Sequence, residues 1–96
     1  MVLEVADIAV TPGTEDEFLA AFRSARHLVE QTPGCRSVRM TRGVESPARF
    51  VLLVEWDSVD AHLQNFRASD RFTEWRAALG PYFAGPPHVE HTADID

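Results

Sequence analysis

Lysine is missing from this chain. All nine of its cations are arginines, and they stand against fifteen acidic residues, so the formal net charge over 96 residues is -6. A surface of that sign argues against a partner whose phosphates would have to be neutralised, and no nucleic acid is expected to bind. Cysteine occurs once, as Cys35, which excludes an internal disulfide and cannot build a metal site alone. The first ten residues, MVLEVADIAV, carry no basic residue and are interrupted by Glu4 and Asp7. They are neither a signal peptide nor a membrane span, and a cytoplasmic protein with no membrane partner is expected. Also absent are GxGxxG, GxxxxGK and GxSxG, which leaves dinucleotide, nucleotide and serine-hydrolase chemistry without support. The four histidines, His27, His62, His88 and His91, share no metal-ligand spacing, and no metal is expected.

The composition that remains is 45% apolar and 25% charged, ordinary for a globular protein. The length predicts a single domain over 1–96, with an ordered core from about 2 to 92 and a short C-terminal tail. A domain of this size leaves much of its surface wet, which favours oligomerisation.

Residues 2–10 read as a strand closed by Thr11, Pro12 and Gly13. Thr14 and Glu17 have capping-box spacing, and Glu15 and Asp16 suit the first turn of a helix. Phe18, Ala21, Phe22, Ala25, Leu28 and Val29 recur at three and four, giving that helix one apolar stripe as far as Thr32–Gly34. Residues 36–44 alternate Val38 and Met40 against Arg39 and Thr41, as a half-exposed strand near an edge would. Arg49–Trp56, RFVLLVEW, is apolar on both faces and must be covered on both. Ser58 and Ser69 are placed to cap two further helical pieces, Gly80 and Pro81 end the second, and HVEHT, His88–Thr92, reads as a last strand. The order predicts a ferredoxin-like βαββαβ α+β fold, an antiparallel sheet with two helices on one side. Leu3, Val5, Val51 and Leu53 would form the uncovered face, and a homodimer packed sheet to sheet would cover it.

One stretch mixes chemistry with packing. In AHLQNFRASDRFTEWR, with Val59, Leu63 and Phe66 taken as a buried stripe, His62 lies on or beside it and Asn65 on its flank. Arg76 shares the side of Phe72, Trp75 and Leu79. Converging, these side chains would line a space between helices and sheet. Each also has a plain structural reading: His62 as a boundary histidine, Asn65 bonding nearby backbone, Arg76 laid over Trp75, the aromatics as core. Asp7 could be an internal acid with a raised pKa or stand in solvent. His91 would point toward the helices and His88 away from them, His27 reads as exposed, and Cys35 as a small buried filler.

Across nearly its whole length the chain resembles the antibiotic biosynthesis monooxygenase (ABM) domain family. The matching segments are VTPGTEDEF, TPGC, RFVLLVEWDSVDAH, NFRASDRFTEW and PPHVEH. The resemblance implies a dimeric α+β barrel and a cofactor-free monooxygenase that oxidises a phenol, anthrone or quinol with O2 to a quinone. It also implies that Asn65, in QNF, lies at the substrate. The places of the haem-degrading branch's residues hold Asp7, Asn65 or Phe66, and Arg76, without the histidine ligand, which argues against haem. In this reading His62 is the leading base, with His91 or Asp7 as substitutes. Asn65 and Arg76 donate to the developing oxyanion, and Phe66, Phe72 and Trp75 wall the ring system. The alternative is a non-catalytic dimeric module that binds an apolar aromatic metabolite.

Overall fold

The computed structural model describes all 96 residues. The chain runs β1 (Val2–Ala9), α1 (Glu15–Glu30), β2 (Cys35–Arg42), β3 (Arg49–Trp56), a π-helical segment (Ala61–Arg67), α2 (Asp70–Leu79), a 3-10 turn (Gly80–Tyr82) and β4 (His88–Thr92). The four strands form one antiparallel sheet in the order β2-β3-β1-β4, which is the ferredoxin-like α+β arrangement the sequence order implies.

Strand alternation sorts every side chain of the two central strands. Ala6 and Ile8 of β1 and Phe50, Leu52, Val54 and Trp56 of β3 face the helices and are buried. Leu3, Val5, Val51 and Leu53 face the other way and remain half-exposed. Onto the inner face α1 lays Phe18, Phe22, Ala25 and Val29, with Ala21 and Leu28 partly buried on its flanks. The Phe18 and Phe50 rings meet at 4.8 Å, and Trp75 of α2 packs edge-on against Phe22 at 6.1 Å.

Several local expectations change. The capping box at Thr14 does not form: its hydroxyl donates to Thr11 O at 2.7 Å, and Glu15, not Glu17, turns back to accept from Gly13 N–H. Ser58 does accept from Ala61 N–H at 3.1 Å, whereas the Ser69 hydroxyl donates backward to Phe66 O and caps nothing. The second strand ends at Arg42, where Gly43 N–H bonds Arg49 O and closes the hairpin. Val59 and Leu63 are not a buried stripe, each being 37% exposed; Ala61, His62 and Phe66 are the buried positions there. The reason is the wider π-helical turn, which advances each residue by less than the about 100° of an α-helix, so the side chains fall on a different face.

Candidate active site

Between the inner sheet face, the π-helical segment, α2 and the loop 80–88 lies a cavity of about 990 Å³, at the upper end of the size range of small-molecule sites. Its walls include Phe66, Phe72, Trp75 and Phe83, and its mouth carries Arg67 and Arg76. Both guanidinium groups lie over the Phe72 ring, at 4.8 and 5.8 Å from its centroid. The loop, rich in proline at 81, 86 and 87, is tied to the end of β1 by Thr11 N–H to Tyr82 O and Ala84 N–H to Ala9 O, each 2.8 Å. It is a fixed wall and not a linker.

The floor of this cavity is polar in one place. Glu4, on the inner face of β1, is 6% exposed, and His62 is 1% exposed. Trp56 Nε1 donates to Glu4 Oε1 at 2.9 Å, His62 Nε2 lies 3.3 Å from the same oxygen, and His62 Nδ1 lies 2.8 Å from His91 Nε2. Glu4 and His91 are direct cross-strand partners, and the His62 ring stacks on Trp56 at 5.0 Å and 17°. The imidazole pair is satisfied when His91 Nε2–H donates to His62 Nδ1; His62 Nε2–H then faces Glu4 Oε1 at 3.3 Å, a dipole beside the carboxylate and not an aligned hydrogen bond.

Burial dominates the protonation of this group. It pushes the Glu4 carboxyl above its usual range, opposed by the Trp56 hydrogen bond and the charge of Arg67. It also lowers His62 to about 4, with His91 and Arg67 acting in the same direction.

The sequence candidates divide. His62, Phe66, Phe72, Trp75 and Arg76 line the cavity, and His91 stands behind His62. Asn65 does not join them. It is exposed, and its amide donates to Pro33 O at 2.7 Å, on the opposite side of the segment. Three residues of π-helix carry it further from His62 than three residues of α-helix would. Asp7 is not an internal acid either: it lies on the outer sheet face, bound by Arg49 through contacts of 2.8–3.2 Å, and that guanidinium holds its carboxyl below the usual range. Glu4 and Arg67 were not singled out by sequence. A signal for Glu4 existed, since the alternation that turns Leu3, Val5 and Asp7 outward turns Glu4 inward with Ala6 and Ile8. Cys35 is half-buried, and burial raises its thiol pKa.

The helices and inner face of a ferredoxin-like sheet thus frame an aromatic-walled cavity with a buried acid and a buried imidazole on its floor, a form suited to a small-molecule ligand. The family model for antibiotic biosynthesis monooxygenases matches residues 1–78, and the chain belongs to that family. It is 34% identical over 95 residues to YczJ of Bacillus subtilis (strain 168), a protein of uncharacterised function, covering 99% of this chain and 100% of that one. A crystal structure from Bordetella bronchiseptica, provisionally assigned as an antibiotic biosynthesis monooxygenase, superimposes with a TM-score of 0.94 at 41% identity, over 98% of this chain and 96% of that one. SnoaB from Streptomyces nogalater, a cofactor-independent oxygenase, shares the fold with a TM-score of 0.84 at 19% identity, over 99% of this chain and 93% of that one.

Proposed function

We propose that this protein is a cofactor-independent monooxygenase that oxidises a phenol, anthrone or quinol-type aromatic with O2 to a quinone. The observation that carries the reading is the Glu4–His62–His91 cluster on the floor of an aromatic-walled cavity. Family membership and the oxygenase activity of SnoaB, which shares the fold, support it.

Triplet oxygen reacts slowly with closed-shell organics, and a deprotonated electron-rich ring can supply the first electron itself. The cluster would remove the substrate proton, and the anion would pass one electron to O2. The radical pair would then couple to a peroxide with a new C–O bond. Cleavage of the O–O bond, with loss of the remaining ring proton, leaves a carbonyl and releases the second oxygen as water. Arg67 and Arg76 would steady the anion from the mouth, while Phe66, Phe72 and Trp75 hold the ring plane and keep water out.

The half-exposed strip of Leu3, Val5, Val51 and Leu53, edged by the Asp7–Arg49 and Ser37–Glu55 pairs, would be the contact of a homodimer packed face to face. Oxygen uptake with a panel of anthrones and hydroquinones tests the activity. A saturable rate that depends on the protein is expected; saturable binding with no uptake leaves the non-catalytic binding module.

A further inference from the structure

We infer that the group which takes the substrate proton is Glu4, through its Oε2 atom, and that His62 and His91 are positioning residues that hold this carboxylate for the task. The inference deepens the monooxygenase reading and rests on it for the identity of the substrate.

The geometry of the imidazoles points this way. His62 is 1% exposed, its Nδ1 is engaged by His91 Nε2 at 2.8 Å, and its Nε2 faces Glu4 Oε1 at 3.3 Å. A substrate proton could reach the lone pair on His62 Nδ1 only after the His91 contact broke. On Glu4, by contrast, the contacts from Trp56 and His62 fall on one oxygen, Oε1. Oε2 takes no hydrogen bond from the protein and is not a sealed atom, and Glu4 lines the cavity. A buried carboxylate with one oxygen pinned and the other free toward an apolar cavity has the form of a preorganised base.

The proton count closes on this single group. Glu4 takes a proton from the substrate, and the resulting acid gives it to the peroxide anion. It then takes the remaining ring C–H proton as the O–O bond breaks, and that proton leaves with the departing hydroxide as water. The carboxylate ends as it began, with no proton required from elsewhere. His62 would act on Oε1 electrostatically: its Nε2–H dipole, 3.3 Å away, favours the carboxylate, and His91 fixes the tautomer that presents this N–H. Burial, by raising the proton affinity of Glu4, moves it toward the neutral range where a base is most effective. The other charged or titratable groups around Glu4 are His62 and Arg67 from the π-helical segment, His91 from β4, Cys35 from β2 and, at the mouth, Arg76.

A dye test separates proton transfer from oxygen chemistry. 1,8-Dihydroxyanthraquinone, a fused-ring phenol that is un-ionised in neutral water, changes colour when a hydroxyl ionises. Bound to the native protein near neutral pH, it is expected to take the phenolate spectrum without releasing a proton to the buffer, and bound to Glu4→Gln to keep the phenol spectrum. The same spectral change in Glu4→Gln, or none in the native protein, overturns the inference. In the oxygen assay Glu4→Gln should lose at least about a hundredfold in rate at every pH. Glu4→Asp, which keeps the charge but withdraws it by one methylene, should lose about tenfold and serves if the glutamine variant does not fold. His91→Phe should move the acid limb of the rate profile to higher pH by about one unit, a shift that a merely structural role would not give. Full oxygen uptake by folded Glu4→Gln refutes the role of Glu4 and leaves the monooxygenase standing. Glu4-dependent dye ionisation with no oxygen uptake does the reverse.

Discussion

His62 and Glu4 illustrate how one residue's setting is decided by its burial. The folded protein holds His62 neutral down to about pH 4, while the unfolded chain protonates it near 6.5. Between those values the unfolded state binds more protons, so stability falls as pH drops from 6.5 toward 4. Urea midpoints measured across this window should decline in the native protein and decline less in His62→Phe, which keeps the stack on Trp56. Glu4 has the opposite sign. Its folded pKa is raised above 4.5, so its contribution is fully present below that value and is lost as pH rises through the folded pKa. Glu4→Gln should therefore gain stability relative to the native protein more at pH 8 than at pH 4. Asn65 is the residue whose sequence-based assignment the geometry moves. Its amide ties the segment to Pro33 O, and Asn65→Ala should cost about 1 kcal/mol in urea unfolding and leave oxygen uptake within about twofold. A hundredfold loss of turnover would return it to the reaction.

At the scale of elements, the π-helical segment is what aims the chemistry. It places His62 and Phe66 toward the sheet, with their rings 6.2 Å apart, and turns Asn65 and Leu63 out. It is held against the turn before β2 by Gly34, whose φ of +94° suits glycine and whose added Cβ would stand 2.6 Å from Ala61 Cβ. Gly34→Ala combines a left-handed backbone penalty with a backbone-close clash and should destabilise the protein by about 2–4 kcal/mol. Displacing Ala61 displaces the next residue, His62, so the imidazole NMR signals of His62 and His91 should shift in this variant. Unchanged signals would show that the segment is anchored elsewhere. The strands behave more simply, because period-two alternation leaves each residue only two faces to choose between. That is why the limits of β3 and β4 follow from sequence; those of α2 do too, since Ser69 and Gly80 bound it, whereas nothing in the sequence announces the π-helical turn.

At the scale of the molecule, two faces of one sheet do different work. The inner face builds the core and the cavity floor; the outer face presents an apolar strip on the two central strands, between the arginine-bearing edge strand β2 and the short strand β4. Val5 and Leu53 are cross-strand partners at its centre. If the proposed face-to-face dimer forms, Leu53→Asp should shift sedimentation from dimer to monomer with the far-ultraviolet circular dichroism preserved. A native protein that sediments as a monomer at tens of micromolar would remove the dimer. No helix is long and apolar enough to cross a membrane, in keeping with the charged residues that break up every apolar stretch.

The sequence by itself determined the strands, the α1 stripe, the βαββαβ order and the two-sided character of β3, because each depends on a short-range period that burial enforces locally. It also placed the aromatic walls, since Phe66, Phe72 and Trp75 are apolar wherever their helices turn. The tertiary structure alone decided the polar floor. Glu4, Trp56, His62 and His91 come from four separate elements, and only sheet register and the π-helical turn bring them within hydrogen-bond distance. Protonation followed the same division, since exposure to solvent or to a neighbouring guanidinium is a property of the packed chain: Asp7 and Glu4, three residues apart on one strand, were driven in opposite directions by the two faces of the sheet.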